Sequence, residues 1–398
     1  MKQVTTIGLD LAKKVFQVHG VDAAGVVVIR RSLRGRQVLA FFAKLPPCLV
    51  GIEACATAHY WGREIGKPGH RVRLIPPAYA KAYVRRNKND PADAAAICEV
   101  VDRPSMRFVT IKTEVQQATA GIHKVRAVLV KQRTMLINTL RGLMAEFGIV
   151  VAEGPRHVKE LVAMLADPAD TRIPEPLHGS LMAIVETLRG LEHRLEGIEK
   201  QIVGWGRDNA TCRHLITIPG YGPMLSTAMA AIAVDPAAFA SGRHFAASLG
   251  LVPRQDGTGG KVKLGPISKR GNGYRRRLLV NGAMSVLCSK GAKHDPWLVK
   301  LIETKQRKIA CALANKMARI GWAVMVRQED FRNRHDPPRP NLGQAGTMLA
   351  TVKTAARALA AVAFGQSCPR LRMAPPRNQV GTKKRSFDRT KKQDLGHT

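Results

Sequence analysis

Four carboxylates in a strongly basic chain have the clearest capacity for chemistry. Asp10 closes the apolar stretch VTTIGLD, Glu53 follows CLVGI, and Asp90 and Asp93 lie three apart in DPADAAAICEVV. Residues three apart share one face of a helix. Carboxylate oxygens are hard ligands and select Mg²⁺ or Mn²⁺ over softer metals. Two such ions about 4 Å apart polarise a phosphodiester and steady both its attacking and its leaving oxygen. Charged groups at the ends of buried strands cost desolvation, so their presence calls for a reason. A plainer reading makes Asp90 a helix cap, leaves Asp93 solvated and sets Asp10 and Glu53 at loop mouths. Spacing alone leaves both readings open.

The charge balance narrows the partner. Lys and Arg number 64 against 29 Asp and Glu, a formal net charge of +35. Such a surplus attracts polyanions, and nucleic acid is the expected partner because neutralised phosphates release counterions. A basic structural protein of the ribosomal kind fits the same balance. A membrane protein ranks last, since no stretch approaches the roughly 20 uncharged apolar residues of a span. With 398 residues, 45% of them hydrophobic, the chain supports two or three folded domains rather than global disorder. The N-terminus MKQVTTIGLDLAKK carries Asp10 and two lysines where a signal peptide needs an apolar core. Seven scattered cysteines form no Cys-x-x-Cys pair, so neither a zinc site nor a disulfide framework is expected. A reducing cytoplasmic setting fits.

The elements that must position the acids follow from periodicity. Residues 2–10, 15–21 and 25–30 read as strands, 36–44 as a helix, 48–54 as a strand, 58–66 as a helix, 71–77 as a strand and 90–101 as a helix. Three meandering strands followed by alternating helices and strands describe a mixed sheet covered by helices, the order of the ribonuclease-H-like fold. In that order the first and fourth strands are neighbours, which brings Asp10 beside Glu53. Residues 113–147 form a long basic helical pattern, and 148–178 look irregular. A helix carrying Leu181, Ile184, Leu188, Leu191, Leu195, Ile198 and Ile202 follows, a coiled-coil-like seam. The seam serves either packing against 113–147 or dimerisation. The stretch 239–251 is apolar, 257–273 reads as a glycine-rich basic loop, and helical patterns fill 274–289 and 296–329. Beyond Phe331 come a proline-rich linker, an alanine-rich helical stretch at 345–364 and a basic, disordered tail.

Two further constellations suit nucleic acid. LITIPGYGPMLSTAMA at 215–230 has the pattern of a helix-hairpin-helix, in which Gly220 and Gly222 let backbone amides face a phosphate. An ordinary glycine turn between helices is the alternative. The segment 257–277 holds Lys261, Lys263, Lys269, Arg270, Arg275, Arg276 and Arg277 without an acid, and two hydroxyls, Thr258 and Ser268. A hydroxyl among glycines and cations suits nucleophilic attack on a phosphodiester, or merely hydrogen bonding in a phosphate-gripping loop.

IGLDLAKKVFQV, GIEACATAHYWGRE, KNDPADAAAICE, IPGYGPMLSTA and ASLGLVPRQDGTGGKVKLGPISKRGN resemble, in that order, the DEDD transposases of the insertion-sequence family one-ten, and its eleven-eleven subgroup in particular. The likeness covers roughly residues 2–330. It implies an α/β, RuvC-like domain over 1–110, a helical coiled-coil segment over 111–205 and a mainly α C-terminal transposase domain with a helix-hairpin-helix over 206–332; composition alone marks 333–398 as a linker and tail. It implies Mg²⁺ (or Mn²⁺) held by Asp10, Glu53, Asp90 and Asp93. It also implies DNA strand exchange guided by a structured RNA from the element, in a dimer or tetramer acting on double-stranded DNA. The family's nucleophile is a serine before a glycine in the loop after LGLVPR. Here the loop reads Asp256-Gly257-Thr258-Gly259-Gly260-Lys261, with no serine; Thr258 is the matching hydroxyl and the preferred nucleophile, and Ser268 in its place or an impaired copy are the other readings of this departure. Two other functions remain in view: a junction-resolving nuclease that uses the acids and water, and a nucleic-acid-binding protein with inert acids.

Overall fold

Alternating apolar residues build the first sheet. The strands β1 (Thr6–Asp10), β2 (Val15–Val21) and β3 (Val27–Arg34) form an antiparallel meander, and β4 (Leu49–Glu53) and β5 (Arg71–Ile75) add in parallel to β1. The sheet order β3-β2-β1-β4-β5 is that of the ribonuclease-H-like fold. The computed structural model describes residues 3–332, apart from 12–14, most of 78–89, 105, 153, 155–156, 233–234 and most of 290–308. The expected linker, the alanine-rich stretch at 345–364, the basic tail and the start of the 296–329 pattern lie outside the described residues.

Each face of the sheet has its own cover. Ile7, Leu9, Phe16, Val18, Val50 and Ile52 are buried with Val38 and Phe42 of α1 (Gly35–Phe42) and Ile65 of α2 (Ala58–Gly66). Side chains alternate along a strand, so Gly8, Asp10, Gly51 and Glu53 belong to the other face. There α3 (Asp90–Val100) lies on bare backbone. Gly8 and Gly51 are register partners on β1 and β4. A Cβ on Gly8 would stand 2.1 Å from the Ala94 carbonyl oxygen, and one on Gly51 would stand 2.8 Å from Val101 Cβ. The two glycines thus form a floor that admits the helix at this depth. At its far end Arg73 donates from Nη1 to the Val101 carbonyl at 3.0 Å and lies over the Phe108 ring. A cation there suits the negative end of the helix dipole.

The helical segment is α4 (Glu114–Ala145), α5 (Val158–Ala166) and α6 (Glu175–Asp208). Helix α5 occupies part of 148–178, where the prolines and glycines had suggested irregular chain. The leucine seam of α6 is turned inward: Leu181, Leu188, Leu191, Leu195 and Ile202 are buried, the first two in a core shared with Leu140 and Met144 of α4 and Leu161 of α5. Five of the seven seam residues are thus packed within the chain, and Ile184 and Ile198 are half-buried. Thr113 and Gln116 cap α4 reciprocally at 3.2 and 3.1 Å. Arg63 of α2 binds the Lys112 carbonyl at 3.0 Å and Gln117 at 2.7 Å, which fixes the helix to the first sheet's domain.

The remaining elements are α7 (Ala210–Leu215), α8 (Pro223–Ile232), α9 (Gly242–Ser248), a β6–β7 hairpin (Pro253–Thr258, Lys261–Ile267), α10 (Gly273–Leu287) and α11 (Ile309–Arg327). The segment 257–273, expected as a loop, is mostly this hairpin. Gly259 and Gly260 have φ of +56° and +77°, which suits a two-residue type I′ turn. Among the described residues α11 alone has the length and composition of a membrane span. It is a core helix instead: Leu313, Ala314, Met317 and Ala318 are buried with Phe245 of α9 and Leu279 of α10.

A polar bond chain ties α4 to this C-terminal region. His123 is buried, with Nδ1 3.0 Å from the Tyr274 hydroxyl and Nε2 3.0 Å from Thr227 Oγ1. Thr227 gives its own proton to the Pro223 carbonyl at 2.7 Å. His123 therefore donates from Nε2 and accepts at Nδ1 as a neutral imidazole. Burial, then Arg126, pushes it down to about 4. His59, which accepts from the Lys112 amide, is also pushed to about 4, by burial and then by Lys112 and Arg63.

Gly8→Ala lowers stability in chemical denaturation by about 3 kcal/mol, because helix and strand backbones must separate. Gly190→Ala, in α6 with open space around it, raises stability by about 1 kcal/mol. The unfolded chain protonates its histidines near 6.5, whereas folded His59 and His123 resist until about 4. The unfolded state binds more protons between those values, so stability falls as pH is lowered from 6.5 to 4. Urea midpoints measured across that window should flatten in His123→Gln.

Candidate active site

The sheet's end and the helix's start meet at one point. Asp10 is the last residue of β1, and Asp90 and Asp93 occupy the first turn of α3. Pro91 suits that turn, and the positive end of the helix dipole favours acids there. Asp10, Asp90 and Asp93 each bring one carboxylate oxygen within 4.8 Å of the other two. Asp10 and Asp93 are half-buried and Asp90 is exposed. Asp93 Oδ1 is buried and meets no donor. Three like charges so close repel one another, and an orphaned buried oxygen is costly. A hard divalent cation answers both, so the donor set fits such an ion. Glu53 does not join this group. It ends β4, the strand beside β1, half-buried and on the same face as Asp10, but its carboxylate stays outside the 4.8 Å cluster.

The candidate nucleic-acid residues separate into outward and inward sets. Lys261, Lys263, Lys269, Arg270 and Arg277 are exposed. Arg275 is not: it is buried beside Tyr221, its Nε unpartnered, and burial pushes the guanidinium down to about 10. It cannot grip a phosphate at the surface. Arg276 is half-buried and donates to the carbonyls of Leu249 and Arg270 at 3.0 and 2.9 Å, so it braces the hairpin's base. The three consecutive arginines sit on one helix and point different ways, so a shared role could not survive.

Gly220 also has an inward reason. With φ of +83° it packs against α10, where an added Cβ would stand 2.8 Å from the Gly282 carbonyl and 2.7 Å from Met317. Gly222, exposed with open space around it, leads into α8. Thr258 sits at the hairpin tip opposite Lys261, exposed. Ser268 lies beyond the other end of β7, its amide bonded to the Val252 carbonyl at 2.8 Å. At about 3.4 Å per residue the two hydroxyls are roughly 20 Å apart, so one phosphate cannot meet both. The His123 chain and the Gly8–Gly51 floor carry no local sequence signal, since their partners are far apart in the chain.

A ribonuclease-H-like sheet with clustered acids at the end of its first strand defines an enzyme of nucleic-acid strand chemistry. The comparisons make the class specific. Residues 212–297 match the family model described as Transposase IS116/IS110/IS902 family, and residues 7–149 match the DEDD transposase model of IS110. A probable family 20 transposase of Pseudomonas aeruginosa is 46% identical over 336 residues, 83% of this chain and 99% of the relative. The transposase for insertion sequence element IS1328 of Yersinia enterocolitica is 40% identical, covering 83% of this chain and 99% of its own. That for IS1111A of Coxiella burnetii is 39% identical, covering 83% and 92%. The chain belongs to the IS110/IS116/IS902 family of transposases, and it is a DNA transposase.

The acid cluster yields a direct test. Asp93→Asn should weaken Mn²⁺ binding, read by electron paramagnetic resonance, about tenfold or more while the urea midpoint stays unchanged or rises. Glu53→Gln should cost less. Unaltered Mn²⁺ affinity in Asp93→Asn would remove the metal role.

Proposed function

We propose that this transposase cleaves and exchanges DNA strands with Asp10, Glu53, Asp90 and Asp93 holding Mg²⁺ or Mn²⁺ and Thr258 as nucleophile, guided by a structured RNA from the element. The observation that carries the reading is the convergence of three carboxylates within 4.8 Å at the end of a ribonuclease-H-like sheet, one with an orphaned buried oxygen. The bound ion supplies charge stabilisation at the attacking and leaving oxygens. Glu53 has enough rotatable bonds to swing toward the cluster from the adjacent strand. Thr258 attacks phosphorus through Oγ, a threonyl phosphodiester forms, the leaving strand oxygen takes up a proton, and the hydroxyl proton passes to solvent or a base. Its β-methyl crowds the attack relative to serine. We read the α4–α6 pair as an intramolecular coiled coil and α7–α8 as a helix-hairpin-helix offering Gly222, and we place Lys261, Lys263, Lys269, Arg270 and Arg277 against phosphates. The RuvC-like character, the RNA guide and a homo-oligomer belong to this proposal through the family resemblance.

A second reading, a nuclease using the acids and water, is favoured by one observation: among the described residues the Thr258 hydroxyl has no hydrogen-bonded base. Covalent trapping separates them. Protein, Mg²⁺, RNA from the element's flank and labelled junction DNA are resolved on denaturing gels. An adduct lost in Thr258→Ala and kept in Ser268→Ala supports the nucleophile. Cleavage without any adduct assigns the reaction to water.

A further inference from the structure

A cavity of about 890 Å³ opens beside the acids, between α3 and the β2–β3 strands. Its near end is marked by Pro91 and Ala92, which separate Asp90 from Asp93, and by Gln17, the register partner of Asp10. Its floor follows the sheet's pleat. One row across β1, β2 and β3 reads Asp10, Gln17, Ser32, and the next reads Gly8, His19, Arg30. All of these point to the face that α3 covers. Alanines 92, 95 and 96 of the helix keep the roof low-profile.

The floor is built of donors. Ser32 donates to Gln17 Oε1 at 2.8 Å, which turns the Gln17 amide nitrogen away from that bond. Arg30 is exposed and pairs with no acid among the described residues. His19 beside it is held toward its neutral form, by burial and then by Arg30. Among the residues that line the cavity the acids are Glu99 and Asp102, at the far end, and Arg103 binds Glu99 at 2.8 Å. The donor end adjoins the acid cluster, and the acidic end lies away from it. Once a divalent cation offsets the three clustered carboxylates, an anionic strand entering this cavity is drawn to the end nearest Asp10.

We propose that Gln17, Ser32, His19 and Arg30 form a subsite for a backbone phosphate flanking the scissile one, which positions the DNA strand across the acids. This rests on the functional reading above. Arg30 supplies the charge and Gln17 a neutral donor one row nearer to Asp10. No sequence is read, because phosphate contacts fix register without reporting bases.

The test replaces single phosphates of an element-end DNA, one position at a time, by neutral methylphosphonate. Full-length wild type, Arg30→Ala and the control Arg172→Ala, whose arginine is paired with Asp170 away from the cavity, are compared by fluorescence anisotropy with the RNA from the element's flank and Ca²⁺ in place of Mg²⁺. In wild type and the control, one position should cost about tenfold in affinity. In Arg30→Ala that position should cost nothing further, and the salt slope should fall by about one counterion. Arg30→Lys should restore the slope. If every position costs Arg30→Ala what it costs wild type, the subsite is overturned while the DNA-cleaving reading stands. If wild type binds no DNA at all, both fall.

Discussion

Everything chemical in this protein depends on how deeply α3 sinks onto the sheet. A helix packed over ordinary side chains stands about 10 Å from a sheet, and acids in its first turn would clear the strand ends. Gly8 and Gly51 remove the side chains beneath it, and Ala94, Cys98 and Val101 come into contact with backbone. The same descent carries Asp90 and Asp93 to Asp10. The glycines are thus as necessary to the cluster as the acids, though they contribute no ligand. Arg73 holds the other end of the helix down, so the lever is pinned at both ends.

The basic surplus is divided between two uses. Some cations are spent inside: Arg63 and Arg126 bond helix to helix, Arg276 holds carbonyls, and Arg275 is buried. Burying a guanidinium without an acid partner is costly, and Arg275 shows that cost as a lowered proton affinity. Others face solvent, among them Lys261, Lys263, Lys269 and Arg270 on the hairpin and the following turn, where association with phosphate is driven by counterion release. Net charge alone cannot say which lysine or arginine does which. A three-residue arginine run on a helix spans about 200° of its circumference, so its members must differ in fate.

The sheet was largely legible because period-two apolar alternation and strand-end acids are local signals. The order of five strands and the place of Asp10 follow from them. The hairpin was not legible, because glycines break the alternation and its apolar positions, Val262 and Leu264, face solvent rather than a core. Helix α5 was obscured by the prolines and glycines that flank it. The inward turn of Gly220 toward Gly282 and the bond of His123 to Tyr274 depend on partners 62 and 151 residues away, which no window of sequence can contain. Glu53 was legible as a strand-end acid. Its distance from the other three was not, since rotamers are set by packing.

The division between a rigid acid floor and an exposed hairpin suits the two halves of the proposed reaction. Metal ligands must be held to within fractions of an ångström, and a helix pressed against strand backbone supplies that rigidity. A nucleophile that remains attached to its DNA has a different requirement, since it must travel with the strand it holds. A two-stranded hairpin alone is only marginally stable in water, and this one is anchored chiefly at its base, by Ser268 to Val252, Lys269 to Gly250, and Arg276. Its tip, with Thr258 just before the turn glycines Gly259 and Gly260, is exposed. The fold thus sets the acids on a rigid floor and Thr258 on an exposed tip, and α4 is bonded to both regions, by Gln117 to Arg63 on one side and by His123 to Thr227 and Tyr274 on the other.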